Sequence, residues 1–172
     1  MDKFLYVADI VPNTIVDGIG FRTSLYLSGC DICCEGCHNR DLWDIKSGKK
    51  MKIDKVYKKI TEEFTDITFI GGEPMMQAES LAVLAKVIKQ NTDKNIWIYS
   101  GHTYEEIISN KVQFGLLELC DVLVDGKYEE EFFQNNLRFR GSSNQRIIDI
   151  KKSLKNNKVV LWKDDFNFGL RL

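Results

Sequence analysis

An α/β fold built on a mostly parallel sheet of about six strands follows from three features of this 172-residue sequence. Short β-rich runs alternate with amphipathic stretches, the pattern of strand–helix–strand units joined by crossovers. Three of the runs end in turn signals: Gly71, Gly72 and Glu73; Ser100 and Gly101; Asp125 and Gly126. Sheets of this kind bind ligands beyond the carboxyl ends of their strands, so those turns mark the functional edge. The length suits a single domain over residues 1–172 and is too short for the eight units of a closed barrel.

Residues 5–10 read as the first strand. Residues 13–22 form a turn-rich approach with Gly18 and Gly20, and residues 23–27 a short strand that delivers the chain into a cysteine-rich loop. The two prolines, Pro12 and Pro74, both fall at loop positions. Ile53, Val56, Ile60 and Phe64 recur at helical spacing among lysines and glutamates, which predicts an amphipathic helix over residues 53–64. Residues 66–70 are a strand running into Gly71 and Gly72. Leu81, Leu84, Val87 and Ile88 mark the next helix, and residues 95–99 the next strand. Thr103, with Glu106 three residues later, makes the capping-box pattern that starts a third helix. Residues 122–124 give a further strand. Residues 147–150, a lysine-rich helical piece and residues 159–162 add one more helix and strand, and the tail 163–172 is assigned to no element.

Hydrophobic residues make up 44% and charged residues 28% of the chain, enough apolar material for a sizeable core. The formal net charge of −1 offers no electrostatic footprint for nucleic acid or for an anionic membrane surface. No signal-peptide pattern opens the chain, and no window approaches the ~18 apolar residues of a membrane span. The expectation is therefore the cytoplasm, where thiols stay reduced.

Four of the five cysteines, Cys30, Cys33, Cys34 and Cys37, lie within eight residues. A knot of half-cystines in one short loop would staple nothing distant, which weighs against disulfides. Cys30/Cys33 and Cys34/Cys37 are each a C-x2-C pair of the kind zinc uses, although zinc pairs normally come from segments about 12–20 residues apart. Omitting Cys33 gives C-x3-C-x2-C, three thiolates for a four-iron cluster with one iron open to another ligand. An electron-transfer module using all four cysteines, and a zinc-binding adaptor, are the competing readings. Cys120, between Leu119 and Asp121, reads as a small core residue.

C-x3-C-x2-C together with the Gly71-Gly72-Glu73-Pro74 element resembles the radical S-adenosylmethionine enzymes. The segments N-T-I-V-D-G-I-G-F-R, S-G-C-x3-C-x2-C-H-N, I-W-I-Y-S-G-H-T, D-V-L-V-D-G-K-Y and R-G-S-S-N-Q-R-I-I-D, spread over residues 13–149, are similar to the glycyl-radical activating branch that serves anaerobic ribonucleoside-triphosphate reductase. C-H-N-R-D-x-W-D, residues 37–44, is equally similar to pyruvate formate-lyase activating enzyme, the alternative within the superfamily, whose chain is longer. Gly36 stands where the wider superfamily commonly has an aromatic residue, and glycine there resembles the reductase branch.

The resemblance implies a shortened, open (β/α) barrel of radical S-adenosylmethionine type. It makes Cys30, Cys34 and Cys37 the ligands and catalytic centre of one 4Fe-4S cluster. The open iron is chelated by the methionine moiety of S-adenosylmethionine. Gly72 and Glu73 then hold the methionine ammonium, with Ser100 also on the cofactor, and backbone around Gly36, Cys37 and His38 contacts the adenine. The implied reaction is reductive cleavage of S-adenosylmethionine, followed by hydrogen abstraction from a glycine of the reductase's glycyl-radical subunit. A flavodoxin- or ferredoxin-like protein would donate the electron.

Overall fold

The computed structural model describes residues 3–163. The expectation for the tail therefore lies, beyond Lys163, outside the described residues. A seven-stranded sheet runs through the molecule, formed by β1 (Phe4–Thr14), β2 (Arg22–Leu27), β3 (Lys49–Lys52), β4 (Asp66–Gly71), β5 (Ile96–Ser100), β6 (Val122–Asp125) and β7 (Arg146–Asp149). Their order is β3-β1-β2-β4-β5-β6-β7, so β3 and β7 are the two edges.

The centre of the sheet is parallel, as expected, and its margins are not. β2, β4, β5 and β6 run parallel, whereas β1 and β3 on one side and β7 on the other pair antiparallel. The expectation of about six mostly parallel strands is corrected accordingly. The link from β1 to β2 is too short for a crossover, which needs a dozen or more residues, so the chain can only double back. Pro12 lies inside β1 rather than in a loop, at a register irregularity between Val11 and Thr14, where a missing N–H is tolerated.

The strand β3 escaped the sequence reading because Lys-Lys-Met-Lys lacks the composition of a strand. It pairs with β1 from Phe4 opposite Lys52 to Val7 opposite Lys49, and lysines on an edge strand discourage pairing with other chains. Residues 159–162 contribute a bridge from Leu161 to Ile148 instead of a full strand.

Helices α1 (Ile53–Ile60), α2 (Ala78–Asn91), α3 (Tyr104–Ser109), α4 (Lys111–Leu117) and α5 (Ile150–Asn156) follow the strands. In α1, Ile53, Val56 and Ile60 are buried, with Asp54 in the first turn and Lys58 and Lys59 in the last, each suited to the helix dipole. The helix stops one turn before Phe64, which is fully exposed; the Thr61 hydroxyl caps it by donating to the Tyr57 carbonyl at 2.7 Å. The Thr103/Glu106 capping box forms as expected. The stretch it opens is two helices, because Asn110 leaves helical geometry and accepts from the N–H groups of Val112 and Gln113 to start α4.

Alternation along the strands sorts the two faces. Leu25, Leu27, Ile67, Phe69, Ile96, Ile98 and Leu123 join the helices in the main core, with Cys120 buried among them as expected. Trp97, Val122 and Val124 face the other side, where Ile19, Tyr99, Phe139, Ile147 and Trp162 cover them. That second face also holds a buried polar group. Arg22, fully buried, donates to Thr68 at 2.6 Å and to the carbonyl of Ile67 at 2.6 Å, and lies over the Trp97 ring. Burial pulls its guanidinium down to about 10. Ser24 and Tyr26 both donate to Asp17, at 2.7 and 3.2 Å. Among the described residues no helix is long and apolar enough to cross a membrane.

Candidate cluster and cofactor site

A cavity of about 330 Å³ opens at the carboxyl ends of β4, β5 and β6. Its size falls within the ~300–1,000 Å³ of small-ligand pockets. Cys30, Cys34, Cys37, His38, Gly72, Glu73 and Ser100 all line it. Seven of the eight residues singled out from the sequence are thus brought together from segments up to 70 positions apart. Gly36 is the exception. It lies behind the wall, where a Cβ would come within 2.9 Å of the Glu130 carboxylate and 3.2 Å of the Tyr128 ring.

The cysteine loop leaves β2 and is pinned on two sides. Gly29 and Cys30 donate to the carbonyls of Leu42 and Trp43, at 2.7 and 3.0 Å. On the other side, the Asn39 side-chain amide donates to the Gly71 carbonyl at 3.1 Å, and Glu73 N–H to the Gly29 carbonyl at 2.7 Å. The glycine pair after β4 makes this docking possible. A Cβ on Gly72 would stand 2.3 Å from the Gly29 oxygen, and one on Gly71, where φ is +118°, would stand 2.4 Å from the Leu27 oxygen. The close approach that the glycines permit is of the end of β4 to the end of β2, at Gly71, and to the cysteine loop, at Gly72.

Cys33 behaves unlike its neighbours. It is exposed, does not line the cavity, holds a φ of +50°, and its thiol lies against the Cys30 carbonyl at 3.4 Å. Burial pushes the Cys30 and Cys34 thiols above the ordinary thiol range, partly offset by nearby backbone N–H groups, that of Tyr128 at Cys34. Among the described residues no group of three or more His, Cys, Asp or Glu is drawn together around a single metal ion. Three thiols line the cavity and the fourth is turned out to solvent, and thiols are soft donors of the kind that iron–sulfur and zinc sites use.

Glu73 is 1% exposed and heavily bonded. One carboxylate oxygen accepts from Met75 N–H at 2.8 Å and Ser100 Oγ at 2.9 Å, the other from Gly101 N–H at 2.7 Å. Burial pushes its carboxyl above the usual range, while these donors pull it back. Glu73 therefore ties the end of β4 to the end of β5 and leaves limited acceptor capacity toward the cavity. Ser100 points its hydroxyl at Glu73. Asp125, third of the strand-end signals, is turned away into a pair with Arg146, and Gly126 takes its place on the wall.

Several wall residues were not singled out from the sequence as cofactor contacts. Asp17, Asn39, Tyr99 and Tyr128 are among them, and so are Arg140, Gly141 and Gln145 at the start and end of the R-G-S-S-N-Q run. Gln145 organises that run: its carbonyl oxygen accepts from the N–H groups of Gly141 and Ser142, at 2.8 and 3.1 Å, and its amide donates to the Gly126 carbonyl at 2.8 Å. The similarity of that segment to a known branch was the available signal. For Tyr128 there was none beyond the D-V-L-V-D-G-K-Y match.

Known proteins share most of the length of this chain. Residues 16–148 match the family model described as a 4Fe-4S single cluster domain. A Pasteurella multocida protein named anaerobic ribonucleoside-triphosphate reductase-activating protein is 34% identical over 147 residues, 79% of this chain and 92% of its own. Proteins of the same name from Vibrio cholerae and from Enterobacteria phage T4 are 37% identical over 146 residues and 32% over 164, covering 92% and 97% of their lengths. By these similarities in sequence, the chain belongs to the family of anaerobic ribonucleoside-triphosphate reductase-activating proteins and carries a 4Fe-4S single cluster domain.

Proposed function

We propose that this protein is a radical S-adenosylmethionine activase that generates a glycyl radical on anaerobic ribonucleoside-triphosphate reductase. The observation that carries the reading is the cavity wall: Cys30, Cys34 and Cys37 line it together with the strand-end residues Gly72, Glu73 and Ser100, while Cys33 faces out. In this reading the three thiols hold one 4Fe-4S cluster, and the iron without a protein thiolate takes S-adenosylmethionine. Bound together, the two groups supply the radical chemistry, a one-electron cleavage giving methionine and a 5′-deoxyadenosyl radical.

The chain's own residues position and enclose. Gly72 and Ser100, held in place by Glu73, border the space for the methionine end, and the segment of Gly36, Cys37 and His38 borders the adenosyl end. The four parallel strands carry these groups as the shortened open barrel of the superfamily would, with helices behind and the cavity in front. Its open side is where the glycine of the reductase enters, and the docked partner excludes solvent from a radical that would attack other C–H bonds. A flavodoxin- or ferredoxin-like protein supplies the electron. All five cysteines are unpaired, which supports a reducing, cytoplasmic setting for a chain acting as one unit over residues 1–172.

The test mixes the reconstituted, reduced protein and S-adenosylmethionine anaerobically with the reductase, or with pyruvate formate-lyase, and records electron paramagnetic resonance. A glycyl radical on the reductase is expected. A signal on pyruvate formate-lyase alone would reassign the partner, and none on either would remove the activase reading.

A further inference from the structure

Resting on the activase reading, we propose that Tyr128 is the aromatic surface on which the adenine ring of S-adenosylmethionine stacks. Tyr128 follows β6 by three residues and lines the cavity beside Cys34 and Cys37. Two glycines from distant segments approach its ring at atoms that lie across the ring from each other. A Cβ on Gly36 would stand 3.2 Å from Cε1, and one on Gly141 would stand 2.9 Å from Cδ2 and 3.4 Å from Cε2. Side chains at either position would push the ring out of place, so both glycines serve to seat it.

Seated in this way, the ring forms part of the cavity wall. His38 stands nearby, with ring centroids 5.4 Å apart and planes tilted by 45°. The Tyr128 hydroxyl makes no hydrogen bond among the described residues, so the side chain is held by its ring rather than anchored through its oxygen. The backbone N–H of the same residue lies against the Cys34 thiol, so Tyr128 and the cysteine loop share one wall of the cavity. A ligand whose methionine end sits on the cluster would bring its other end to this wall. In S-adenosylmethionine the one flat π-system is adenine, and purines stack on tyrosine through their faces.

The experiment measures equilibrium binding of S-adenosylmethionine and of methionine to the anaerobically reconstituted protein, wild type against Tyr128→Phe and Tyr128→Leu, with iron and sulfide counted for each. Loss of a stacking surface weakens nucleobase binding by about 5- to 150-fold. The expectation is a loss in that range for S-adenosylmethionine in Tyr128→Leu, near-wild-type binding in Tyr128→Phe, and unchanged methionine binding in both. Equal affinity for S-adenosylmethionine in wild type and Tyr128→Leu would overturn the assignment, as would a parallel loss of methionine binding. No binding to the wild type would instead remove the activase reading on which the assignment rests. Should Tyr128→Leu fail to assemble a cluster, photolabelling of the wild type with the 8-azidoadenosyl analogue decides: an adduct on Tyr128 or its immediate neighbours supports the assignment, and labelling confined elsewhere rejects it.

Discussion

At the scale of single residues, the eight-residue cysteine cluster divides into three thiols on a cavity and one outside it. Alanine at Cys30, Cys34 or Cys37 is expected to abolish cluster assembly, and Cys33→Ala to retain most of the iron and the visible absorption. Equal loss at all four would favour a site that uses every thiol. Glu73 carries a different lesson. The sequence expectation placed it on the methionine ammonium, and in the structure its carboxylate accepts three protein hydrogen bonds. In Glu73→Gln the amide nitrogen opposes a backbone N–H, at a cost of about 1–3 kcal/mol for an unsatisfied buried group. Denaturant melts of that variant should show a loss of this size, and titration should show weaker S-adenosylmethionine binding with iron retained. A wild-type melt would mean that the three bonds hold nothing together.

At the scale of elements, the segment between β6 and β7, residues 126–145, is held over the strand ends by contacts within itself. Gln145→Ala removes three hydrogen bonds at once and leaves two backbone N–H groups to find water. The expected result is a normal iron content with impaired radical transfer to the reductase, read by spin counting. Full radical yield would reduce the segment to an exposed loop. The start of β6 provides a pH test. Asp121 is pushed up by burial, but Lys151, Lys89 and the Ile96 N–H outweigh this and hold its carboxyl below the ordinary range. A depressed folded-state value means that the contribution is fully present above the unfolded carboxylate value, ~4, and is lost as pH falls through the folded one. Asp121→Asn should therefore destabilise the protein by about 2 kcal/mol at neutral pH, with a smaller difference from wild type in acid. A pH-independent difference would argue against the ionised carboxylate as the source.

At the scale of the whole molecule, the sheet keeps its two faces for different purposes. The main helical core packs one face, and the other carries Asp17, Arg22 and the cavity. A cluster that binds the folded chain and not the unfolded one stabilises by mass action, and here it would also tie the loop after β2 to itself. Reconstitution with iron and sulfide should raise the thermal midpoint by several degrees under anaerobic conditions, and an iron chelator should reverse the gain. An unchanged midpoint with full iron incorporation would place the cluster on a surface that contributes nothing to folding.

Local chemistry determined what could be read from the sequence. Thiolate spacing, the Gly-Gly-Glu turn, the Thr103/Glu106 box and the periodicity of α1 and of the central strands depend on neighbours a few positions apart, and each was legible. The antiparallel margins were not, since the direction of β1 and β7 is set by how their connections fold back. Nor was β3, whose lysines carry no strand signal and which exists through its pairing with β1. Glu73 and Tyr128 mark the same boundary within the site. Their roles depend on Ser100 and Gly101 in one case and on Gly36 and Gly141 in the other, and packing alone brings those residues within reach.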